Sequence, residues 1–257
     1  MFYVPSDQSR LSQLNGQLDT LSDENNQLHA AADKAVADGG DTVYASLQAP
    51  AVSQSIQNVV RGRYTARTVI QKGAIMNISV EIVPGKGRVL VQTRPLMGVT
   101  FQDAANTAVA VARNKTGSDL SKSDVIYSLE AGDQVPEVDG PSAGALMTLL
   151  AVSALEKRPI NGALTLTGTI QADGHIGAIG GVVEKATAAK ENGKTLFLIP
   201  AENRLITPPV PGNTSGIFPA ARQAQQVSAS DYIGKNIGIN VTYVNTIDDV
   251  LATALEN

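Results

Sequence analysis

The hydrophobic periodicity of the chain changes near residue 40, and this change limits the possible folds more than any other feature. In residues 6–38, core-type positions recur with alternating spacings of three and four residues, which is the repeat of a coiled-coil helix. These positions hold Leu11, Leu14, Leu18, Leu21, Asn25, Leu28, Ala32 and Ala35. Gly39 and Gly40 then end the pattern. We predict an N-terminal coiled-coil-like helix within residues 1–40 and a second domain over residues 41–257.

The heptad helix allows two arrangements that the sequence does not separate. Asn25 is a lone polar residue at a core position, and such a residue typically sets the register and oligomeric state of a coiled coil. This favours self-association as a homo-oligomer, and Asn25 by itself favours dimers or trimers. The alternative is a helix that lies along its own domain.

After residue 41 the pattern becomes a mixture of short strands and short helices. Strands are predicted over residues 43–47, 64–70, 75–83, 88–93, 124–129, 163–169, 195–199 and 239–244. Helices are predicted from Thr100, from Ser142, over 182–192 and from Thr246, and Asp103 and Asp249 complete capping-box patterns at the first and last of these. Because strands and helices do not alternate strictly, the fold class is α+β rather than a doubly wound sheet.

Two segments of the second domain carry loop signals. Pro84, Gly85, Lys86 and Gly87 lie between two alternating strands and predict a hairpin turn. Residues 203–238 are rich in Pro, Gly, Ser and Gln and predict an inserted loop, with one short helix near residues 220–228.

Composition removes several classes of function. The net charge of −4 and the pI of about 5.2 provide no basic surface for a nucleic-acid backbone. The chain has no cysteine, which excludes disulfides, a thiolate nucleophile and cysteine-ligated zinc. No uninterrupted apolar run reaches the ~18 residues of a membrane-spanning helix. Membrane anchoring is expected only through a segment absent from this chain, of which the apolar start at Met1 would be the remnant.

Ser142 is a candidate nucleophile because of its setting in Gly-Pro-Ser-Ala-Gly. Gly140 and Pro141 predict a tight entry into a helix, and small neighbours leave the hydroxyl accessible. At a helix N-terminus, free N–H groups and the positive end of the helix dipole can stabilise an oxyanion. Alone, the pattern equally describes an ordinary serine at the start of a helix.

Lys185 is the candidate base. It follows a stretch of small and apolar residues over 176–181 and lies one turn into a predicted helix. Burial among such residues can lower the pKa of a lysine far enough for it to accept a serine proton. Thr167, at the end of a predicted strand, could orient the amine by hydrogen bonding. The alternatives are a solvated helical lysine and a strand-end threonine.

The remaining motifs do not indicate a cofactor or a metal. Only His29 and His175 are present, so a Ser-His-Asp triad would depend on His175 alone, and no metal-binding histidine spacing occurs. The glycine-rich stretch 174–181 lacks the order of a dinucleotide-binding fingerprint, and Lys185 lacks the residues around it that a phosphate-binding loop needs. We therefore expect no cofactor.

Four segments together closely resemble the proteolytic domain of Lon proteases, in the order found in that family. They are EVDGPSAG at 137–144, LTGTI at 166–170, GHIGAIGGVVEK at 174–185 and LIP at 198–200. The resemblance is strong over residues 124–201 and resumes at 239–255. Two positions depart from the family pattern, since Val138 stands where many members carry lysine and Thr169 where many carry an acid.

The resemblance implies a Ser-Lys dyad in which Ser142 is the nucleophile and Lys185 the general base. It also implies supporting roles for Thr167, Asp139 and Gly140, with the main chain of residues 140–142 forming the oxyanion hole. Because Thr169 replaces an acid, the means by which Lys185 is kept neutral becomes the open question of the site.

The expected function is that of an ATP-independent serine endopeptidase that cleaves unfolded or flexible polypeptides. The chain contains no ATPase motif and is similar to stand-alone Lon-like proteases of archaeal type, and the family suggests a ring of six subunits. This similarity favours a membrane-anchored or exported protein over a cytoplasmic one. The rival hypotheses are a non-catalytic Lon-like interaction scaffold and a protease that processes its own chain.

Overall fold

The computed structural model describes residues 43–61, 64–94, 96–131, 137–138, 140–208 and 225–256, with the main chain alone for residues 54–61 and 64–70. The predicted heptad helix, the apolar start of the chain, Asp139 and residues 209–224 lie outside the described residues. Strands and helices are numbered below in chain order within the described ranges.

The larger sheet contains four strands in the order β1-β2-β5-β3. They are β1 (Val43–Arg61), β2 (Tyr64–Pro84), β3 (Val89–Thr93) and β5 (Ser123–Ala131). The first two form a long antiparallel pair in which Val52 lies opposite Gly73. Two strands were predicted over 64–70 and 75–83, but they form one strand because the ladder continues through Gly73 in the centre of the pair.

The hairpin predicted around residues 84–87 is wrong. β5 lies between β2 and β3, antiparallel to the former and parallel to the latter. The carboxylate of Asp124, at the start of β5, accepts hydrogen bonds from the Lys86 and Arg88 N–H groups and from the Arg88 side chain. The turn therefore connects two strands that are separated in the sheet by β5, a strand from later in the chain. Local alternation of apolar residues cannot predict such an inserted strand.

Two helices cover the buried face of this sheet, α1 (Val99–Thr116) and α2 (Gly144–Glu156). Every residue of α2 from Gly144 to Ala154 is buried. The capping box predicted at Thr100 is wrong, because α1 already begins at Val99 with Gly98 as its N-cap. The Thr100 hydroxyl instead accepts a hydrogen bond from the Gly140 N–H. Just before α1, β4 (Leu96–Met97) pairs with β6 (Glu137–Val138).

The second sheet is parallel, with the order β11-β8-β7. Its strands are β7 (Leu164–Leu166), β8 (Leu196–Pro200) and β11 (Asn240–Val244). Helix α3 (Val182–Glu191) connects β7 to β8, and α5 (Ile247–Ala254) follows β11. The capping box predicted at Thr246 and Asp249 is confirmed at the start of α5. The mixture of an antiparallel-rich sheet, a parallel sheet and interspersed helices is an α+β fold.

The described parts of the segment 203–238 contain more regular structure than the predicted loop. β9 (Leu205–Ile206) pairs with β10 (Val227–Ser228), and α4 (Ala229–Asn236) begins after the position of the predicted helix. Ala229 and Ile233 in α4 are fully buried. Ser228 caps this helix by accepting a hydrogen bond from the Asp231 N–H. A serine three residues before an aspartate is a capping pattern, but many other polar residues in this segment made the pattern hard to recognise. None of the described helices is long and apolar enough to cross a membrane.

Candidate active site

Ser142 lies in a short 3-10 turn, Pro141–Ala143, directly before α2. The turn is entered through Gly140, whose φ of 115° is rarely adopted by residues with a side chain. Pro141 restricts the next φ angle. Ser142 is half-buried, whereas the next twelve residues, 143–154, are buried. The local sequence thus presents one hydroxyl at the N-terminal end of a buried helix.

Lys185 occupies the first turn of α3, which packs directly on the β1–β2 pair through two glycines. A Cβ on Gly181 would lie 2.4 Å from Val52 Cγ2, and one on Gly73 would lie 2.0 Å from the Glu184 carbonyl oxygen. Gly181 also has a φ of 65°, so a larger residue there would meet both backbone strain and steric overlap. This close approach leaves Lys185 only 4% exposed.

The structure brings Ser142, Lys185 and Thr167 together. Lys185 Nζ lies 2.9 Å from Ser142 Oγ and 3.0 Å from Thr167 Oγ1. The Thr167 hydroxyl donates to the Ser142 carbonyl oxygen at 3.1 Å, and the Gly168 N–H donates to the same oxygen at 2.8 Å. The end of β7 therefore holds the serine turn in place while its threonine hydroxyl also accepts from the lysine.

Burial lowers the pKa of Lys185 to about 8. The charged amine loses hydration in the buried site, which favours the neutral form. None of the ion pairs among the described residues involves Lys185, so no described carboxylate opposes this effect. Burial therefore makes the neutral form of Lys185 more accessible near neutral pH, with no ion pair to a carboxylate among the described residues.

Thr169, the position where many family members carry an acid, has its side chain against another part of the loop. Its Oγ1 would lie 2.7 Å from a Cβ on Gly177. The hydrogen-bond partners of Lys185 are Ser142 and Thr167 instead. The lowered pKa of Lys185 thus follows from its burial where α3 packs on the larger sheet.

Ser142 and Lys185 line a cleft of about 360 Å³. Its walls come from β1 at Pro50, Ala51 and Val52, from the serine turn, and from the loop of residues 178–181. Met76, Phe101 and Val138 add apolar surface. Sequence reasoning missed the residues of β1 and β2, because no local pattern distinguishes a strand that lines a cleft from one that does not.

Other predicted positions lie away from the reacting groups. His175 Nε2 lies 3.1 Å from Glu202 Oε1 rather than beside Ser142, so a Ser-His-Asp triad does not form around it.

The Gly140 N–H donates to Thr100, and Pro141 has no N–H. Within the segment 140–142, the Ser142 N–H is therefore the main-chain N–H without a hydrogen-bond partner among the described residues. No cluster of metal-binding side chains occurs in the part of the chain that the structure describes.

Comparison with known proteins relates most of the chain to a single family. The model of the Lon protease (S16) C-terminal proteolytic domain matches residues 53–257. The chain is 35% identical over 149 residues to a Lon protease of Xanthomonas oryzae pv. oryzae, covering 56% of this chain and 17% of that protein. It is 32% identical over 191 residues to a Lon protease of Buchnera aphidicola, covering 72% of this chain and 21% of that protein.

The chain spans only about a fifth of the length of these relatives. A Lon protease of Vibrio parahaemolyticus shows a similar relation, with 31% identity over 188 residues and 21% of that protein covered. The matched residues include the serine turn, the end of β7 and the start of α3. The chain belongs to the family of Lon protease C-terminal proteolytic domains.

Proposed function

We propose that this chain is a serine endopeptidase in which Ser142 is the nucleophile and Lys185 the general base. The observation that supports this most directly is the 2.9 Å contact between Lys185 Nζ and Ser142 Oγ, in which the lysine is buried. A buried lysine without a carboxylate partner costs folding free energy. A catalytic role accounts for this arrangement better than a structural one.

Acylation begins with the neutral form of Lys185. With a pKa of about 8, roughly one molecule in ten carries a neutral amine at pH 7. Its lone pair accepts the proton of Ser142 as Oγ attacks the carbonyl carbon of the substrate. The Thr167 hydroxyl accepts a hydrogen bond from the amine and keeps Nζ directed at Oγ. This is general base catalysis, for which contributions of about 10²–10⁴-fold are typical.

The tetrahedral intermediate places negative charge on the former carbonyl oxygen. We assign the Ser142 N–H, at the N-terminal end of α2, as a donor to that oxygen, with the helix dipole adding to the stabilisation. When the intermediate collapses, the ammonium of Lys185 returns its proton to the leaving amine and the peptide C–N bond breaks. Water then attacks the acyl-serine with Lys185 again accepting a proton, which releases the second product and restores Ser142.

The substrates we propose are unfolded or flexible polypeptides, cleaved without a nucleotide. The cleft of about 360 Å³ is far too small for a folded protein, so a chain must enter in an extended form, and no step of the dyad chemistry uses ATP. Stable folded proteins should resist cleavage by this chain alone. We also propose self-association, which light scattering of the purified protein tests. A monomer at all concentrations would contradict it.

The proposed function is tested by cleavage of casein and of a quenched fluorogenic peptide, without ATP, by wild type and Ser142→Ala. We expect cleavage by the wild type and at least about a 10³-fold loss in the variant. Activity that survives in Ser142→Ala would refute the assignment of the nucleophile.

The same proteins separate the rival hypotheses. Inactivity of the wild type on every substrate, with an intact chain by mass spectrometry, would favour a non-catalytic scaffold. Fragments of the wild type that are missing from Ser142→Ala, without cleavage of added substrates, would favour self-processing.

A further inference from the structure

The loop of residues 178–181 forms a wall of the catalytic cleft, and two side chains from another part of the chain hold it. Glu202 and Asn203 belong to a 3-10 turn, Ala201–Asn203, that follows β8. Neither residue forms a hydrogen bond with Ser142, Lys185 or Thr167. The mechanism above therefore leaves both unexplained.

Asn203 binds both main-chain polar groups of one residue in this loop. Its Oδ1 accepts from the Ile179 N–H at 2.9 Å, and its Nδ2 donates to the Ile179 carbonyl oxygen at 2.9 Å. A side-chain amide has one acceptor end and one donor end, so it can complete both bonds at once, as a neighbouring strand would. This interaction is partly buried, which protects it from competing water.

Glu202 extends the same attachment by one residue. Its Oε2 accepts from the Ala178 N–H at 2.8 Å, and its Oε1 lies 3.1 Å from His175 Nε2. His175 thus supports the cleft loop through Glu202 rather than taking part in the chemistry. The two consecutive residues direct the main-chain groups of Ala178 and Ile179 away from the cleft.

Gly180 is the next residue, and it presents only main-chain atoms to the cleft because glycine has no side chain. Its N–H and carbonyl groups make no hydrogen bond to any residue that the structure describes. An extended polypeptide that binds in a cleft needs partners for its own main-chain groups, and exposed main-chain N–H and carbonyl groups of the protein can supply them. Gly180 is therefore suited to pair with the main chain of a bound peptide.

We propose that Asn203 is a positioning residue that holds Ile179, so that Gly180 can hydrogen-bond to the main chain of the substrate polypeptide. This inference rests on the proposed endopeptidase function and assigns part of its substrate binding. It predicts that loss of Asn203 weakens peptide binding without impairing the reaction of Ser142 itself.

The test uses the full chain with Ser142→Ala and measures binding of a fluorescein-labelled flexible decapeptide by anisotropy. Asn203→Ala in this background should raise Kd about tenfold, the loss expected from two hydrogen bonds of ordinary strength. Asn203→Asp, which keeps an acceptor for the Ile179 N–H, should show a smaller increase. The matched control is Asn192→Ala, which removes a single side-chain amide bond to Ala188 at the other end of α3 and should leave Kd unchanged.

Kinetics with Ser142 present provide the second measurement. Asn203→Ala should raise KM for the fluorogenic peptide about tenfold with kcat within about threefold of wild type, and a small fluorophosphonate should label Ser142 at the wild-type rate. Unchanged Kd and KM, no detectable peptide binding in the Ser142→Ala background, or equal loss of fluorophosphonate labelling and peptide cleavage would each overturn the proposal. No fluorophosphonate labelling and no peptide cleavage by wild type would refute the endopeptidase function, whereas a Kd that still depends on Asn203 would show that the failure lies in the chemistry and not in the peptide binding assigned here.

Discussion

Two buried lysines lie at opposite ends of α3, and their surroundings differ in one decisive respect. Lys185 in the first turn is 4% exposed and Lys194 after the last turn is 8% exposed. Burial lowers the pKa of both side chains. Lys185 Nζ contacts the hydroxyls of Ser142 and Thr167, whereas Lys194 Nζ donates to the Gly162 carbonyl oxygen at 2.8 Å.

The comparison shows that a lowered pKa does not by itself make a lysine a base. A carbonyl oxygen carries no proton to transfer, so Lys194 can only serve as a donor that ties the end of α3 to the loop before β7. Ser142 carries a proton and a nucleophilic oxygen. The chemical nature of the partner, set by packing, distinguishes Lys185, which lies beside a proton donor, from Lys194, which does not.

The largest expected effect comes from replacing each lysine with methionine, which keeps an apolar chain as long as the four carbons of lysine and removes the amine. Lys185→Met should lower kcat/KM for a fluorogenic peptide by about 10³-fold or more, because general base catalysis is lost. Lys194→Met should retain activity within about threefold of wild type, since its amine lies outside the cleft. Equal losses in the two variants would show that the contrast between the lysines is not catalytic.

A smaller effect is expected on the pH dependence of kcat/KM, which tests whether Lys185, and not Lys194, is the base. Because only neutral Lys185 can accept the Ser142 proton, and its pKa is about 8, activity should rise with pH and level off above that value. The increase between pH 6 and pH 9 should be roughly 100-fold, and Lys194→Met should show the same profile. An activity that falls over this pH range would exclude a lysine base.

The smallest expected effect is on stability, and its sign depends on pH. The folded-state pKa of Lys185, about 8, lies below the ordinary lysine value of 10.5, so the charged side chain opposes folding fully below pH 8. This penalty fades as pH rises towards 10.5, where the unfolded chain also loses the proton. Lys185→Met should therefore raise the free energy of unfolding at pH 7 by about 2 kcal/mol, after allowance for the lost hydrogen bonds.

Chemical denaturation at pH 7 and at pH 10 measures this difference. The gain in Lys185→Met should shrink at the higher pH. Lys194→Met should show no gain, because it leaves the Gly162 carbonyl oxygen without its donor. A loss of stability in Lys185→Met at pH 7 would indicate that the hydrogen bonds of Lys185 outweigh its desolvation.

Much of the fold was accessible from local pattern. The strand over 124–129 is confirmed within β5, with Val125, Tyr127 and Leu129 buried on one face. Alternation of apolar residues and capping patterns such as that at Thr246 depend on near neighbours in the chain, and for this reason the sequence can reveal them. The errors at residues 84–87 and at Thr100 occurred where a distant residue, Asp124 or Gly140, supplies the hydrogen-bond partner.

The candidate site likewise contains some residues that the sequence could identify and others that it could not. Ser142, Thr167 and Lys185 were identifiable from the settings of their motifs and from the resemblance to a family. Pro50, Ala51 and Val52 were not, because they reach the cleft only through the pairing of β1 with β2. The interaction of Asn203 with Ile179 was equally hidden, since the two residues are 24 positions apart and neither has a distinctive local pattern.

The sequence by itself determined the family, the mixed α+β character of the second domain and the chemical groups available for reaction. Only the tertiary structure decided that Ser142 and Lys185, 43 positions apart in the chain, lie within hydrogen-bond distance, and that Lys185 is largely desolvated. The physical reason is that a pKa and a contact distance depend on everything that packs around a side chain. Here that packing is the close approach of α3 to β1 and β2, which Gly73 and Gly181 permit.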